Sequence, residues 1–231
     1  MTSKKEQYIT GLKWGVPVIL GFIPVGIAYA IMARQAGFTI SETIGMSVAV
    51  FAGASQMMAV GMYEQGAAII TMIIATFIIN IRHLIMSTCV VNRIRGEKTL
   101  LKLLAVFGVT DESFAIFTTE DENKCTVYSF FGLITVTYTS WIIGSAFGAI
   151  TSDFLPSIIT ASLGIALYAM FLGILIPNIT HNFKLGLLVV MTAICNSIVS
   201  QIVDSSWALI VSTLVCAFIG VFFVDLEGND Q

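Results

Sequence analysis

Long apolar stretches alternate with short polar connectors along the chain. Residues 14–33, 43–63, 125–152, 154–180, 185–203 and 205–224 contain no Asp, Glu, Lys or Arg. At about 20 residues or more, each is long enough to cross a hydrocarbon core of about 30 Å as a helix. Residues 65–92 form a seventh stretch, interrupted only by Arg82 and His83. The connectors, at 34–42, 64–65, 92–102, 118–124, 151–157, 178–184 and 203–206, are too short to fold alone. Short links favour helices packed as neighbours. The pattern predicts an all-α polytopic membrane protein, with a single integral membrane domain over residues 1–231. It has about seven hydrophobic segments, at least one of them broken or re-entrant.

Three places invite a break. Residues 15–26 carry Pro17 and Pro24 among three glycines, and a proline deletes a backbone donor and kinks a helix. The run Phe51-Ala52-Gly53-Ala54-Ser55-Gln56 puts Gly53 and other small residues in mid-segment. Residues 99–118 are apolar at both ends with Asp111 and Glu112 between. This last stretch reads as a re-entrant pair of half-helices meeting near residues 108–113, as an interfacial helix, or as a polar-lined span. In the re-entrant case a carboxylate at the start of the second half-helix can cap it. Irregular backbone at membrane depth is tolerated only inside protein or beside a wet cavity, and broken helices lining a midplane site recur in transporters.

Charge placement sharpens the point. Lys4, Lys5 and Lys13 form one basic cluster, and Arg93, Arg95, Lys98 and Lys102 another. The positive-inside rule assigns both to the cytoplasm, so an even number of crossings must separate them. Three apolar segments lie between. One of the three therefore does not cross simply, or one cluster is on the wrong side. The expected N-terminus is cytoplasmic, in a multi-pass protein of the cell's inner (plasma) membrane. Trp14, Trp141 and Trp207 lie in or near the ends of apolar stretches and read as interface anchors.

Composition agrees. Hydrophobic residues are 57% and charged residues 11% of the 231. Soluble domains carry about 25% charged residues, so this chain has too few to coat a water-facing surface. No basic patch points to nucleic acid. Cys89, Cys125, Cys195 and Cys216 show no pairing pattern and read as packing residues. Neither a metal site nor a cofactor is expected. Weak internal echoes, Gly26-Ile27-Ala28 with Gly164-Ile165-Ala166 and Ser55-Gln56 with Ser200-Gln201, leave an inverted repeat open.

The chemistry concentrates at Asn80-Ile81-Arg82-His83. An Arg at the centre of a membrane helix costs roughly 2.5–3.5 kcal/mol on insertion scales. Arg82 either snorkels to an interface or faces a partner such as Asp111, Glu112 or a substrate carboxylate. His83 can titrate near neutrality or simply bond a carbonyl. Asn80 and Arg82 lie about 200° apart around a helix and cannot share one face. The Gln56 amide needs a partner away from water. His181 sits in a connector.

The motifs Pro17-x-x-x-Gly21-x-x-Pro24-x-Gly26, residues 51–56, Asn80-Ile81-Arg82-His83-Leu84-x-Met86-Ser87 and Thr110-Asp111-Glu112-Ser113-Phe114-Ala115 occur in that order. Together they resemble the AzlC family, the larger subunit of bacterial two-component branched-chain amino-acid exporters. Residues 125–224 match mainly in hydropathy, with Gly164-Ile165-Ala166 and residues 171–177 as looser echoes. Where members often carry Pro-Phe-Gly, this chain has Pro24-Val25-Gly26. The resemblance implies a small hydrophobic AzlD-type membrane subunit as partner. It also implies proton-driven export of valine, leucine, isoleucine or methionine.

A zwitterionic apolar substrate needs a cation or helix N-terminus, an acceptor for its ammonium, and an apolar pocket. Arg82, Gln56, Ser55 and Asn80 are the expected substrate-binding residues, with Phe51, Met57 and Met58 as the apolar neighbourhood. Asp111, Glu112 and His83 are the expected proton-coupling residues. The alternatives are a passive channel and a subunit that supports a transporting partner. An intramembrane hydrolase using Ser55 with His83 or His181 lacks a Gly-x-Ser-x-Gly elbow, and the chain is not expected to be an enzyme.

Overall fold

A computed structural model describes residues 3–94, 98–154, 172, 175–176, 179–180, 182–203 and 205–223. The expected segment 154–180 lies almost entirely outside the described residues, with Gly164-Ile165-Ala166 and most of 171–177. Arg95, His181 and residues 224–231 lie outside them too.

The described elements are helical. They are α1 (Lys4–Gln35), α2 (Ile40–Val50), α3 (Gly53–Glu64), α4 (Ile69–Arg93), α5 (Thr99–Val106), α6 (Asp111–Thr119), α7 (Val127–Thr151), α8 (Phe183–Val199) and α9 (Ser205–Phe223). Capping boxes start four of them: Ser3 with Glu6 on α1, Thr39 with Glu42 on α2, Thr110 with Ser113 on α6, and Thr126 with Ser129 on α7. Such boxes satisfy backbone N–H groups that the helix itself leaves open. Three described helices are long and apolar enough to cross a membrane: Lys4–Gln35, Ile69–Arg93 and, with the short 3-10 turn after α7, Val127–Phe154.

The spine of the fold is α1 packed along α7. A side chain on Gly144 would meet the Ile23 carbonyl oxygen at 2.6 Å, and one on Gly148 the Ile27 carbonyl oxygen at 2.7 Å. Small residues let the backbones approach this closely, the usual way membrane helices associate. This packing corrects the expectation that Pro17 and Pro24 break the helix. Both lie inside a continuous α1. Each proline removes one intrahelical bond, but contact with α7 runs from Gly11 to Ala30 and holds the rest of the ladder.

The break lies in the next segment. Chain direction reverses after α2, at Phe51 and Ala52, and Gly53 opens α3. The two helices have 11 and 12 residues, each about 17 Å long. Phe38, just before α2, nonetheless packs on Tyr63, near the end of α3, at 5.0 Å between ring centroids. The pair is therefore a hairpin that enters and leaves at the same end of the bundle. A second hairpin, α5–α6, enters from the opposite end. There Arg93 at the end of α4 donates to the Glu120 carbonyl, and Lys102 of α5 donates to the Val91 carbonyl.

Contacts between helix ends sort the charges. Lys4 lies over the Tyr128 ring at 5.1 Å, which puts the start of α1 beside the start of α7. Arg34 pairs with Asp153 at 3.4 Å, which puts the other ends together. Since α1 and α4 cross and α2–α3 does not, Lys4 and Arg93 lie at one end. The conflict between the two basic clusters resolves through the broken segment.

The same geometry is an inverted repeat. A long helix and a returning hairpin (α1, α2–α3) are followed by another long helix and hairpin of opposite direction (α4, α5–α6). It is not the repeat to which the echoes at residues 164–166 and 200–201 point.

Trp141 corrects another expectation. It is only 3% exposed and sits in the core beside Phe22, Tyr29 and Phe51, not at a helix end.

Candidate functional site

The two hairpin tips meet the middle of α4. Asn80 lies about three turns after the start of that helix and Arg82 about three turns before its end. Each is thus about 16 Å from its nearer end of the helix, near the midplane of a core about 30 Å thick. Because the two side chains leave α4 in different directions, they reach different tips. Ser55 on the first tip donates to Asn80 Oδ1 at 2.9 Å. Arg82 Nη2 meets Asp111 Oδ2 on the second tip at 3.0 Å.

Between the tips lies a cavity of about 40 Å³, room for about three water-sized molecules. Phe22, Phe51, Ala52, Gly53, Ala54 and Ser55 line it from α1 and the first tip, with Trp141 of α7. Asn80, Arg82 and His83 line it from α4, and Thr110, Asp111 and Glu112 from the second tip.

The two tips differ in charge. Each starts a half-helix, and a helix N-terminus carries unsatisfied N–H groups and partial positive charge. On α3 the N-cap is Ala52, which offers no side-chain acceptor, so this end stays electropositive. On α6 the cap is Thr110, whose hydroxyl accepts from the Ser113 N–H. Of the two roles open to Asp111, the cap therefore falls to Thr110, and Asp111 and Glu112 sit in the first turn of α6. With Thr110 in place, Asp111 is available to pair with Arg82. Arg82 Nε is buried and has no hydrogen-bond partner among the described residues, a costly state for a charged donor. Glu112 faces both the cavity and a cleft between α1 and α6 lined by Pro17, Gly21 and Phe22.

The structure thus brings Ser55, Asn80, Arg82, His83, Asp111 and Glu112 to one place, with Gly53 at its edge. Gln56 does not line the cavity. It is fully buried one turn behind, accepting from the Trp141 indole N–H at 3.0 Å and donating to Ser47 Oγ at 3.1 Å. Met57 is in the core. The Ser55 hydroxyl is spent on Asn80 and shows no bond to His83. No cluster that could hold a metal occurs among the described residues.

Sequence reasoning misses Phe22, Trp141 and Thr110 as parts of the site. Phe22 looks like an ordinary residue of a membrane helix. Phe51 reads in sequence only as an apolar neighbour. It has φ +41°, the one non-glycine residue with positive φ among those described. Such a conformation costs of order 1–3 kcal/mol and tends to mark functional tips. Phe22 and Tyr138 hold its ring edge-on at 6.3 and 5.0 Å.

Residues 17–155, which include the whole cavity lining, match the family model described as AzlC protein. The chain belongs to the AzlC family. It is 30% identical over 179 residues to an uncharacterized membrane protein of Archaeoglobus fulgidus, covering 77% of this chain and 78% of that one. It is 26% identical to the inner membrane protein YgaZ of Escherichia coli, covering 77% and 76% of the two chains. It is 27% identical to the branched-chain amino acid transport protein AzlC of Bacillus subtilis, covering 76% and 71%. No solved structure matches it. Family and relatives support a transport role in a membrane.

Proposed function

We propose that the chain is the larger subunit of a secondary transporter that exports valine, leucine or isoleucine, with methionine as a further substrate, driven by protons. The observation that carries this reading is the meeting of two half-helix N-termini of unlike charge at the middle of α4. The uncapped start of α3 and Arg82 Nε suit a carboxylate. Asp111 and Glu112 suit an ammonium group. Ser55 and Asn80 hold the first tip in register with α4. At about 40 Å³ the cavity is smaller than an amino acid, so loading requires the tips to separate. Opposed hairpins on an inverted repeat can move in alternation, opening the site to either side in turn.

The basic end, with Lys4, Lys5, Lys13, Arg93, Lys98 and Lys102, is assigned to the cytoplasm by the positive-inside rule. Asp111 and Glu112, the acidic pair facing the cavity, carry the coupling proton. The small AzlD-type partner rests on the family resemblance.

In a cell stripped of its own exporters and fed branched-chain dipeptides, expression of the chain with its partner should lower internal valine and leucine. Unchanged levels, with both subunits verified in the membrane, contradict the proposal.

A further inference from the structure

Trp141 is held more tightly than packing alone requires. Its indole N–H donates to Gln56 Oε1 at 3.0 Å, and Gln56 Nε2 donates to Ser47 Oγ at 3.1 Å. Ser47 donates to Ser145 Oγ at 2.8 Å, and Ser145 donates to the Trp141 carbonyl at 2.8 Å. The circuit starts and ends on Trp141, and Ser47, Gln56 and Ser145 are all buried. Tyr29 stacks on the ring at 6.0 Å and 26°, and Phe22 meets it edge-on at 5.7 Å. Its far edge lies under the start of α3, where a side chain on Gly53 would come within 2.5 Å of Cη2. The ring therefore has no free rotamer to adopt.

Trp141 lines the cavity together with Phe22 and Phe51, which form the aromatic part of a lining whose charged part comes from α4 and α6. A substrate held by its two charged groups must turn its side chain toward this wall. Flexible walls, such as methionine, yield to many shapes. A braced indole does not.

We propose that Trp141 sets the upper size limit for the substrate side chain, and that Gln56 is the positioning residue that keeps the indole in place. This rests on the reading of the cavity as an amino-acid site. The wall accepts the branched aliphatic side chains and excludes aromatic ones. Gln56 thereby acts on selectivity without touching the substrate.

The test is competition by unlabelled L-phenylalanine against labelled L-leucine bound to the full-length chain purified in complex with its small partner subunit. Wild type, Trp141→Ala and Gln56→Ala are compared, each checked for a cooperative thermal melt. Wild type should prefer leucine strongly. Trp141→Ala should bind leucine within a few-fold of wild type while phenylalanine competes at least about tenfold better, the scale of pocket discrimination by side-chain size. Gln56→Ala should move the ratio the same way by a smaller factor. A merely structural loss would weaken both ligands alike and leave their ratio unchanged. If Trp141→Ala does not fold, Gln56→Ala alone decides. An unchanged phenylalanine-to-leucine ratio in folded variants that still bind leucine overturns the proposal and leaves the amino-acid site standing. A wild type that binds no branched-chain amino acid overturns both.

Discussion

Arg82 and Asp111 meet at 3.0 Å where the tip of the second hairpin touches the middle of α4. The pair ties a helix that crosses the bundle to one that only enters it. About a third of each side chain is accessible, 39% and 32%, so the full cost of breaking a buried pair, about 3–5 kcal/mol, does not apply. A double-mutant cycle on Arg82→Ala and Asp111→Ala, read as stability in detergent, should give a coupling of about 1 kcal/mol, the upper range for partly exposed pairs. Coupling indistinguishable from zero, or of opposite sign, would contradict a pair that contributes to stability.

The hairpin α2–α3 predicts a topology. Cysteines placed at Lys5 and Lys98 should react with a membrane-impermeant reagent from the same face. Cysteines at Glu42 and Glu64 should react from the other. Labelling of the Lys5 and Lys98 positions from opposite faces would require residues 40–64 to cross the membrane.

Close approach of α1 and α7 predicts intolerance of side chains on the glycine stripe. Gly144→Leu, aimed at the Ile23 carbonyl, should destabilise by about 1–3 kcal/mol, as overpacked cores do. At Gly21 an added side chain meets nothing within 4 Å, so Gly21→Leu should change unfolding midpoints little. Equal effects at the two positions would contradict the packing.

Much of the site was legible because charge in an apolar run has few explanations. Arg82, Asp111 and Glu112 stand out on cost alone, and small residues at 51–56 mark the first tip. The two prolines mislead because proline shows a lost hydrogen bond but not the neighbour that compensates for it. Here that neighbour is α7, far along the chain. Trp141 misleads for a related reason. An indole in a membrane segment often marks an interface, and tertiary contact with Gln56 and Gly53 shows that this one, in mid-helix, is core. The bond from Gln56 to Trp141 spans 85 residues, and no local pattern encodes it.

The proposed proton coupling assigns different roles to Asp111 and His83, although both line the cavity. In vesicles with imposed pH gradients, Asp111→Asn should abolish proton-driven export yet permit exchange down a substrate gradient. His83→Gln should keep most of the pH dependence. The opposite pattern would make the histidine the proton carrier.

The claim that substrate occupies the cavity between the tips is tested most directly by protection at Ala54, in the first turn of α3. The native cysteines at 89, 125, 195 and 216 are first replaced, and Ala54→Cys is introduced. Saturating L-leucine should slow alkylation of this position, whereas D-glucose at equal concentration should not. Alkylation at the same rate with and without leucine, in protein that still transports leucine, would contradict it.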